Sequence, residues 1–227
     1  MIIRGSFEQL AEQAASILAR AVRHCLASKS QAVLAVPGGR SVAAVFAGLR
    51  RQDVPWKQLH IFLLDERLVP TDHEESNYRL VHEHLGTVIP PEMLHPFRHH
   101  PASPHQGVAD YTRELHGHGG RFDIVLASSG EDGHIASLFP RHSSIGNPAD
   151  CFILVKDAPK PPSQRMSASR RLISQADTGV VLFIGDAKAG ALRTALDPRI
   201  PIADCPAKII MELQRYSLLT DQEVAHP

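Results

Sequence analysis

Near the middle of the chain, Asp132-Gly133-His134 puts an acid and a base on either side of a residue that permits a tight turn. A histidine, with an ordinary pKa of about 6.5, can take a proton from water at neutral pH. The aspartate beside it could orient the ring or stabilise the imidazolium as it forms. The same residues also fit a plain turn whose histidine is satisfied locally. No Gly-x-Ser-x-Gly elbow supplies a serine nucleophile, so direct activation of water by the histidine is the simpler chemistry. A second candidate is Gly38-Gly39-Arg40-Ser41, small residues placed where an apolar run gives way to a helical pattern. The backbone N–H groups of such a helix start can hold an anion, and a structural turn is the alternative. Neither a Walker-type loop nor Gly-x-Gly-x-x-Gly is present, which argues against nucleotides and dinucleotides. Arg165 and Lys188 offer the charge a phosphate monoester needs, although each alone also reads as a solvated surface cation.

For these residues to act together, the chain must bring them together. Ser6 followed by Gln9 is a capping-box signature. Phe7, Leu10, Ala14, Ile17, Leu18, Ala21, Val22 and Cys25 then recur at helical spacing. Five continuous apolar runs, 32–36, 59–64, 124–127, 152–155 and 180–184, have the pattern of strands buried on both faces of a mostly parallel sheet. Amphipathic stretches at 42–49, 77–85, 107–116, 168–176 and 187–195 alternate with them. The pattern predicts an α/β doubly wound fold, with helices on both faces of the sheet, as a single domain over 1–227. The nearest thing to a linker is the Pro/Gly-rich stretch 86–106. Gly38 to Ser41, Asp132 to His134 and Lys188 each stand just after an apolar run, and in open α/β sheets ligands bind beyond the carboxyl ends of the strands. Asp65-Glu66-Arg67 joins the set by the same rule.

Composition narrows the partners. The 24 basic and 24 acidic residues among 227 leave a formal net charge of zero, which argues against nucleic acid or an anionic membrane. A small anion held by local cations remains compatible. The longest apolar runs are far below the roughly 18 residues of a membrane span, and no signal-peptide pattern opens the chain; a cytoplasmic location is expected. Cys25, Cys151 and Cys205 form no Cys-x-x-Cys and read as small buried hydrophobes in a reducing compartment. Of the 14 histidines, eight fall between His82 and His118. No His-Glu-x-x-His and no carboxylate spacing completes a ligand set, so solvated loop histidines and no metal are expected.

The motifs together resemble one family. Phe122-Asp123-Ile124-Val125-Leu126, followed by Gly130-Glu131-Asp132-Gly133-His134-Ile135-Ala136-Ser137-Leu138-Phe139-Pro140, is similar to the most specific stretch of the 6-phosphogluconolactonases. Asp65-Glu66-Arg67-Leu68-Val69-Pro70 with Ser76-Asn77 resembles a second motif. Lys160 to Ser167 resembles a third, Gly185-Asp186-Ala187-Lys188 a fourth, and Pro37 to Ser41 the glycine loop. The motifs stand in the family's order over nearly the whole chain. The resemblance implies a cofactor-free cytosolic enzyme, a monomer or weak homodimer, that opens 6-phospho-D-glucono-1,5-lactone in the oxidative pentose phosphate pathway. By the same resemblance His134 is the general base, supported by Asp132. Gly38, Gly39, Arg40, Ser41, Arg165 and Lys188 hold the 6-phosphate. Arg67, with Asp65 and Glu66 beside it, shapes the sugar end or offsets developing charge.

The sequence departs from the family's pattern in places. Ser128 replaces the first glycine of a Gly-x-Gly, and Ile135 a common threonine. Arg40-Ser41-Val42 stands in place of Ser-Thr-Pro, and the stretch from Tyr216 to Asp221 lacks a tryptophan. Two alternatives follow from related families. Glucosamine-6-phosphate deaminases share Asp-Gly-His-Ile-Ala but continue with Phe-Asn-Glu-Pro, whereas Ser137-Leu138-Phe139-Pro140 supplies no such acid here. A silent sugar-phosphate effector domain would come with a DNA-binding helix-turn-helix, for which the chain shows neither the room nor the basic character.

Overall fold

The computed structural model describes residues 1–223; the side chain of Arg40 also lies outside the described part. Ser6 opens the first helix as the sequence predicts: its Oγ accepts from Gln9 N–H at 3.3 Å, and Gln9 Oε1 accepts from Ser6 N–H at 2.9 Å. That helix, α1 (Phe7–Leu26), buries Leu10, Ala14, Leu18 and Val22 as one stripe. The small residues of the stripe allow close packing against the helix that follows the next strand, α2 (Arg40–Leu49), where Gly48 meets Ala15.

The central sheet has six strands, all paired in parallel. They are β1 (Ile2–Arg4), β2 (Ala32–Val36), β3 (Leu59–Leu63), β5 (Ile124–Ser128), β8 (Thr178–Phe183) and β9 (Arg215–Thr220), in the order β1-β9-β8-β5-β2-β3. The interior strands β2 and β5 are apolar and buried nearly throughout, as a sheet covered on both faces requires. The flanking helices are α1, α2, α3 (Asn77–Leu85), α4 (Pro104–Gly117), α6 (Ala189–Leu196) and the short α7 (Lys208–Met211). No helix among the described residues is long and apolar enough to cross a membrane.

Several expectations change. The run at 152–155 is a strand, but it lies outside the central sheet. It forms β6 (Phe152–Val155) of a separate three-stranded antiparallel sheet, with β7 (Arg165–Ala168) in the middle and β4 (Asp65–Arg67) on the far side. The stretch 168–176 is not one helix: Ala168 ends β7, Ser169 caps, and α5 covers only Arg170–Ser174. The stretch 86–106 is not a linker, because Ile89, Leu94 and Phe97 are buried and Leu94 bridges to Ile61 on β3. Its histidines are not uniformly solvated either; His95 is buried against Phe62. Among the cysteines only Cys205 is buried, and burial pushes its thiol up to about 11.

Candidate active site

The carboxyl ends of β2, β5 and β8 and the small antiparallel sheet enclose a cavity of about 250 Å³. One wall is the start of α2. Gly39 caps that helix with φ 108°, a conformation that L side chains rarely adopt. The turn brings the helix's unpaired N–H groups and its positive dipole end to the cavity. Ser41 Oγ lies 3.2 Å from Ser128 Oγ at the end of β5, and Lys188 Nζ donates to the same Ser128 hydroxyl at 3.0 Å. Ser41, Ser128 and Lys188 thus tie three strand ends to one point. Burial lowers the Lys188 pKa, against the opposing pull of Asp221 and Glu131.

The opposite wall is built by pairing between β4 and β7. Their antiparallel register sets Arg67 directly across from Arg165, and Asp65 across from Ser167. Two cations at directly opposed positions repel and destabilise a sheet. Arg165 is only 6% exposed. Its Nε donates to Pro162 O at 3.0 Å, Nη2 donates to Lys160 O at 3.2 Å, and Nη1 lies 3.8 Å from Asp65 Oδ2. Burial still lowers its pKa, and Arg67 adds to that lowering. Arg67 donates from Nη1 to Glu75 O at 2.5 Å, but its buried Nε has no partner among the described residues. An anion between the two guanidinium groups would offset the repulsion and satisfy that donor. Asp65 is held by the Ser137 hydroxyl, which donates to it at 2.8 Å.

The acid–base pair forms as the sequence suggests. His134 Nδ1 and Asp132 Oδ1 are 2.5 Å apart, and the His134 backbone N–H donates to the same oxygen at 3.2 Å. Partial burial acts to raise the Asp132 pKa, but these bonds and the pairing with His134 outweigh it and hold the carboxyl at about 2. The imidazole packs on Phe139 at 4.8 Å between ring centres. Gly130 makes room for it: a Cβ there would lie 2.1 Å from Nδ1 and Cε1 of the ring. With Nδ1–H given to Asp132, Nε2 carries the free lone pair on a histidine that lines the cavity.

The structure thus brings Gly38, Gly39, Asp65, Arg67, His134, Arg165 and Lys188 to one cavity. Asp132 stands behind His134, and Ser41 reaches the wall through Ser128. Arg40 opens α2, but its side chain lies outside the described residues. Glu66 faces away from the cavity. It accepts from the N–H groups of Arg67, Asn77 and Tyr78 at 2.8 Å and from the Ser76 hydroxyl at 2.9 Å, capping α3. Burial raises its pKa against those four bonds. Residue-level reasoning assigned no role to Asn77, Ser128, Glu131 or Lys160, which also line the cavity. Asn77, Glu131 and Lys160 all lie inside the motifs, so the signal was present. A larger hollow of about 590 Å³ lies between α1 and β9, at the opposite ends of the strands, and gathers no paired acid and base.

Residues 5–219 match the family described as glucosamine-6-phosphate isomerases/6-phosphogluconolactonase. The chain is 32% identical over 223 residues to a 6-phosphogluconolactonase of Synechocystis sp., covering 94% of this chain and 92% of that one. Its fold is similar to the crystal structure of a 6-phosphogluconolactonase from Shewanella baltica, with a TM-score of 0.85, 22% identity and 97% of each chain covered. A monomeric glucosamine-6-phosphate deaminase is almost as similar in fold, with a TM-score of 0.81 and 19% identity over 98% of this chain and 97% of that one. Fold alone does not separate the two activities.

Proposed function

The chain belongs to the glucosamine-6-phosphate isomerase/6-phosphogluconolactonase family and is an enzyme of lactone hydrolysis, and we propose that it opens 6-phospho-D-glucono-1,5-lactone with His134 as the general base. The observation that carries this reading is the Asp132–His134 pair, with its free Nε2 on a cavity that also gathers Arg67, Lys160, Arg165 and Lys188. Nε2 takes a proton from water as the water oxygen attacks C1 of the lactone. The tetrahedral intermediate then collapses, the bond from C1 to the ring oxygen breaks, and His134 returns the proton to the leaving alkoxide. Asp132 holds the ring in the tautomer that can accept and stabilises the imidazolium between the two steps. Gly38, Gly39 and Ser41 at the start of α2, with Arg165 and Lys188, hold the 6-phosphate. Arg67, beside Asp65, faces the sugar end and the oxyanion that develops on C1. The reading takes 1–227 as one lactonase unit, of which 224–227 lie outside the described residues.

Lactone hydrolysis is measured above the spontaneous rate, with wild type and His134→Ala. The variant is expected to lose about 10²-fold or more in kcat, the scale of general-base catalysis. Full activity in His134→Ala removes the base. Release of ammonia from glucosamine 6-phosphate in place of lactone hydrolysis supports the deaminase.

A further inference from the structure

At the end of β3 away from the cavity, three imidazoles from separate parts of the chain meet. His60 lies on β3, the edge strand of the sheet; His95 follows Leu94, which bridges to that strand; His118 caps the last turn of α4. One ring nitrogen from each lies within 4.8 Å of the other two. We propose that His60, His95 and His118 form a binding site for a single divalent transition-metal ion of the zinc class, which clips β3, the crossover and α4 together.

The hydrogen bonds fix which nitrogens are available. Glu114 Oε1 lies 2.6 Å from His95 Nδ1, so the carboxylate takes that N–H and leaves the lone pair on Nε2. His60 Nδ1, 2.9 Å away, then donates to His95 Nε2. The consequence is a buried His60 Nε2 with a lone pair and no partner among the described residues; His118 Nδ1 is likewise buried without a partner among them. Buried ring nitrogens without partners are uncommon, and this cluster holds two. A metal ion would replace the proton between His60 Nδ1 and His95 Nε2 and take His118 as its third ligand, leaving His60 Nε2 to carry that ring's N–H. It accounts for Glu114, because a carboxylate on the far nitrogen of a ligating histidine is the usual way its tautomer and orientation are fixed.

Neutral imidazole nitrogens select zinc, nickel, cobalt and copper over magnesium and calcium, which prefer oxygen. Ring nitrogens on a tetrahedral zinc stand about 3.3 Å apart, so the His60–His95 contact opens by a few tenths of an ångström. The fourth position goes to water on the side of His118, which is the partly exposed member. That side adjoins a hollow of about 360 Å³ bordered by Lys29, Arg121 and Asp123, which gives the ion a way in. The two cations there face the Asp123 carboxylate. The site is outside the proposed catalytic machinery, so its test is independent of the lactonase reading.

Metal-free protein prepared with a chelator is titrated with Zn²⁺, Co²⁺ and Mg²⁺ by calorimetry, with the visible absorption of bound Co²⁺ as a second readout. One equivalent of Zn²⁺ is expected to bind with a Kd below about 10 μM, Mg²⁺ not to bind, and saturating Zn²⁺ to raise Tm. His118→Ala is expected to weaken binding at least about tenfold while leaving lactone hydrolysis unchanged. Glu114→Gln, a change at a partly exposed side chain that preserves the fold should His118→Ala disturb it, is expected to cost about 10–100-fold in affinity. His134→Ala is expected to bind Zn²⁺ as wild type does, which separates this site from the catalytic histidine. The proposal is overturned if Zn²⁺ does not bind at that strength, if Mg²⁺ binds equally well, or if binding survives both His118→Ala and Glu114→Gln.

Discussion

At the scale of single residues, the base role proposed for His134 depends on Asp132. As a carboxylate it can only accept, so it forces the Nδ1–H tautomer and leaves Nε2 free. An amide can donate, which favours the opposite tautomer with Nε2 already protonated. Asp132→Asn is therefore expected to lower kcat by about 10²–10⁴-fold with a smaller change in KM, measured by steady-state kinetics. The pH dependence follows from the same pairing. The Asp132 carboxyl is depressed from 3.8 to about 2. Its contribution to stability is then fully present above pH 3.8 and is lost only as pH falls through about 2. As pH falls from about 4 towards 2, wild type is expected to lose stability relative to Asp132→Asn in urea denaturation, because only wild type gives up this carboxylate's contribution; parallel curves there would move the pairing off Asp132.

At the scale of elements, Glu66 shows how the site is held rather than how it reacts. Its four accepted hydrogen bonds fasten the start of α3, and Asn77 in that first turn donates to Asp65 O at 2.8 Å. Glu66→Gln keeps the shape but replaces one acceptor with a donor among groups that all donate to it. Leaving a buried donor unmatched costs about 1–3 kcal/mol, so Tm should fall while kcat stays near wild type. A lost kcat with an unchanged Tm would instead make Glu66 catalytic. The same region marks where the sequence was legible and where it was not. Helix α3 is legible to the residue, from its Ser76 cap to Leu85, because cap and apolar spacing are local signals. Strands β4 and β7 are three and four residues long, and β7 sits beside a Pro-rich stretch, so no periodicity reveals them. The apolar run at 152–155 announces a buried strand but not its sheet, since pairing is a long-range property. The histidine cluster was hidden for the same reason: His60 stands on an apolar strand, far in sequence from the histidine-rich segment.

At the scale of the whole molecule, the balanced charge conceals a local imbalance. The net charge is zero, yet Arg67, Arg165, Lys160 and Lys188 line one cavity against only Asp65 and Glu131. Without an anion this arrangement costs stability. Lys188 has a pKa lowered by burial, which means its charge is harder to hold in the native state than in the unfolded chain. For a lysine so shifted the cost is present in full at neutral pH, and it is relieved only as pH rises through the lowered folded pKa. A phosphate dianion beside the ammonium offsets the same cost at neutral pH, so ligand binding and folding are coupled. Replacing the cation with an apolar chain of similar length removes both effects at once. Lys188→Met is therefore expected to match or exceed the wild-type Tm when free of ligand, and to lose most of the Tm increase that saturating 6-phosphogluconate gives wild type. Its KM should rise about 10–100-fold, the loss of one charge-assisted hydrogen bond, with kcat much less affected because a remote phosphate is held equally in ground and transition states. Differential scanning calorimetry with and without product, beside steady-state kinetics, checks all three. A lower Tm in the ligand-free variant with an unchanged KM would make Lys188 a structural tether of Ser128 rather than a phosphate ligand.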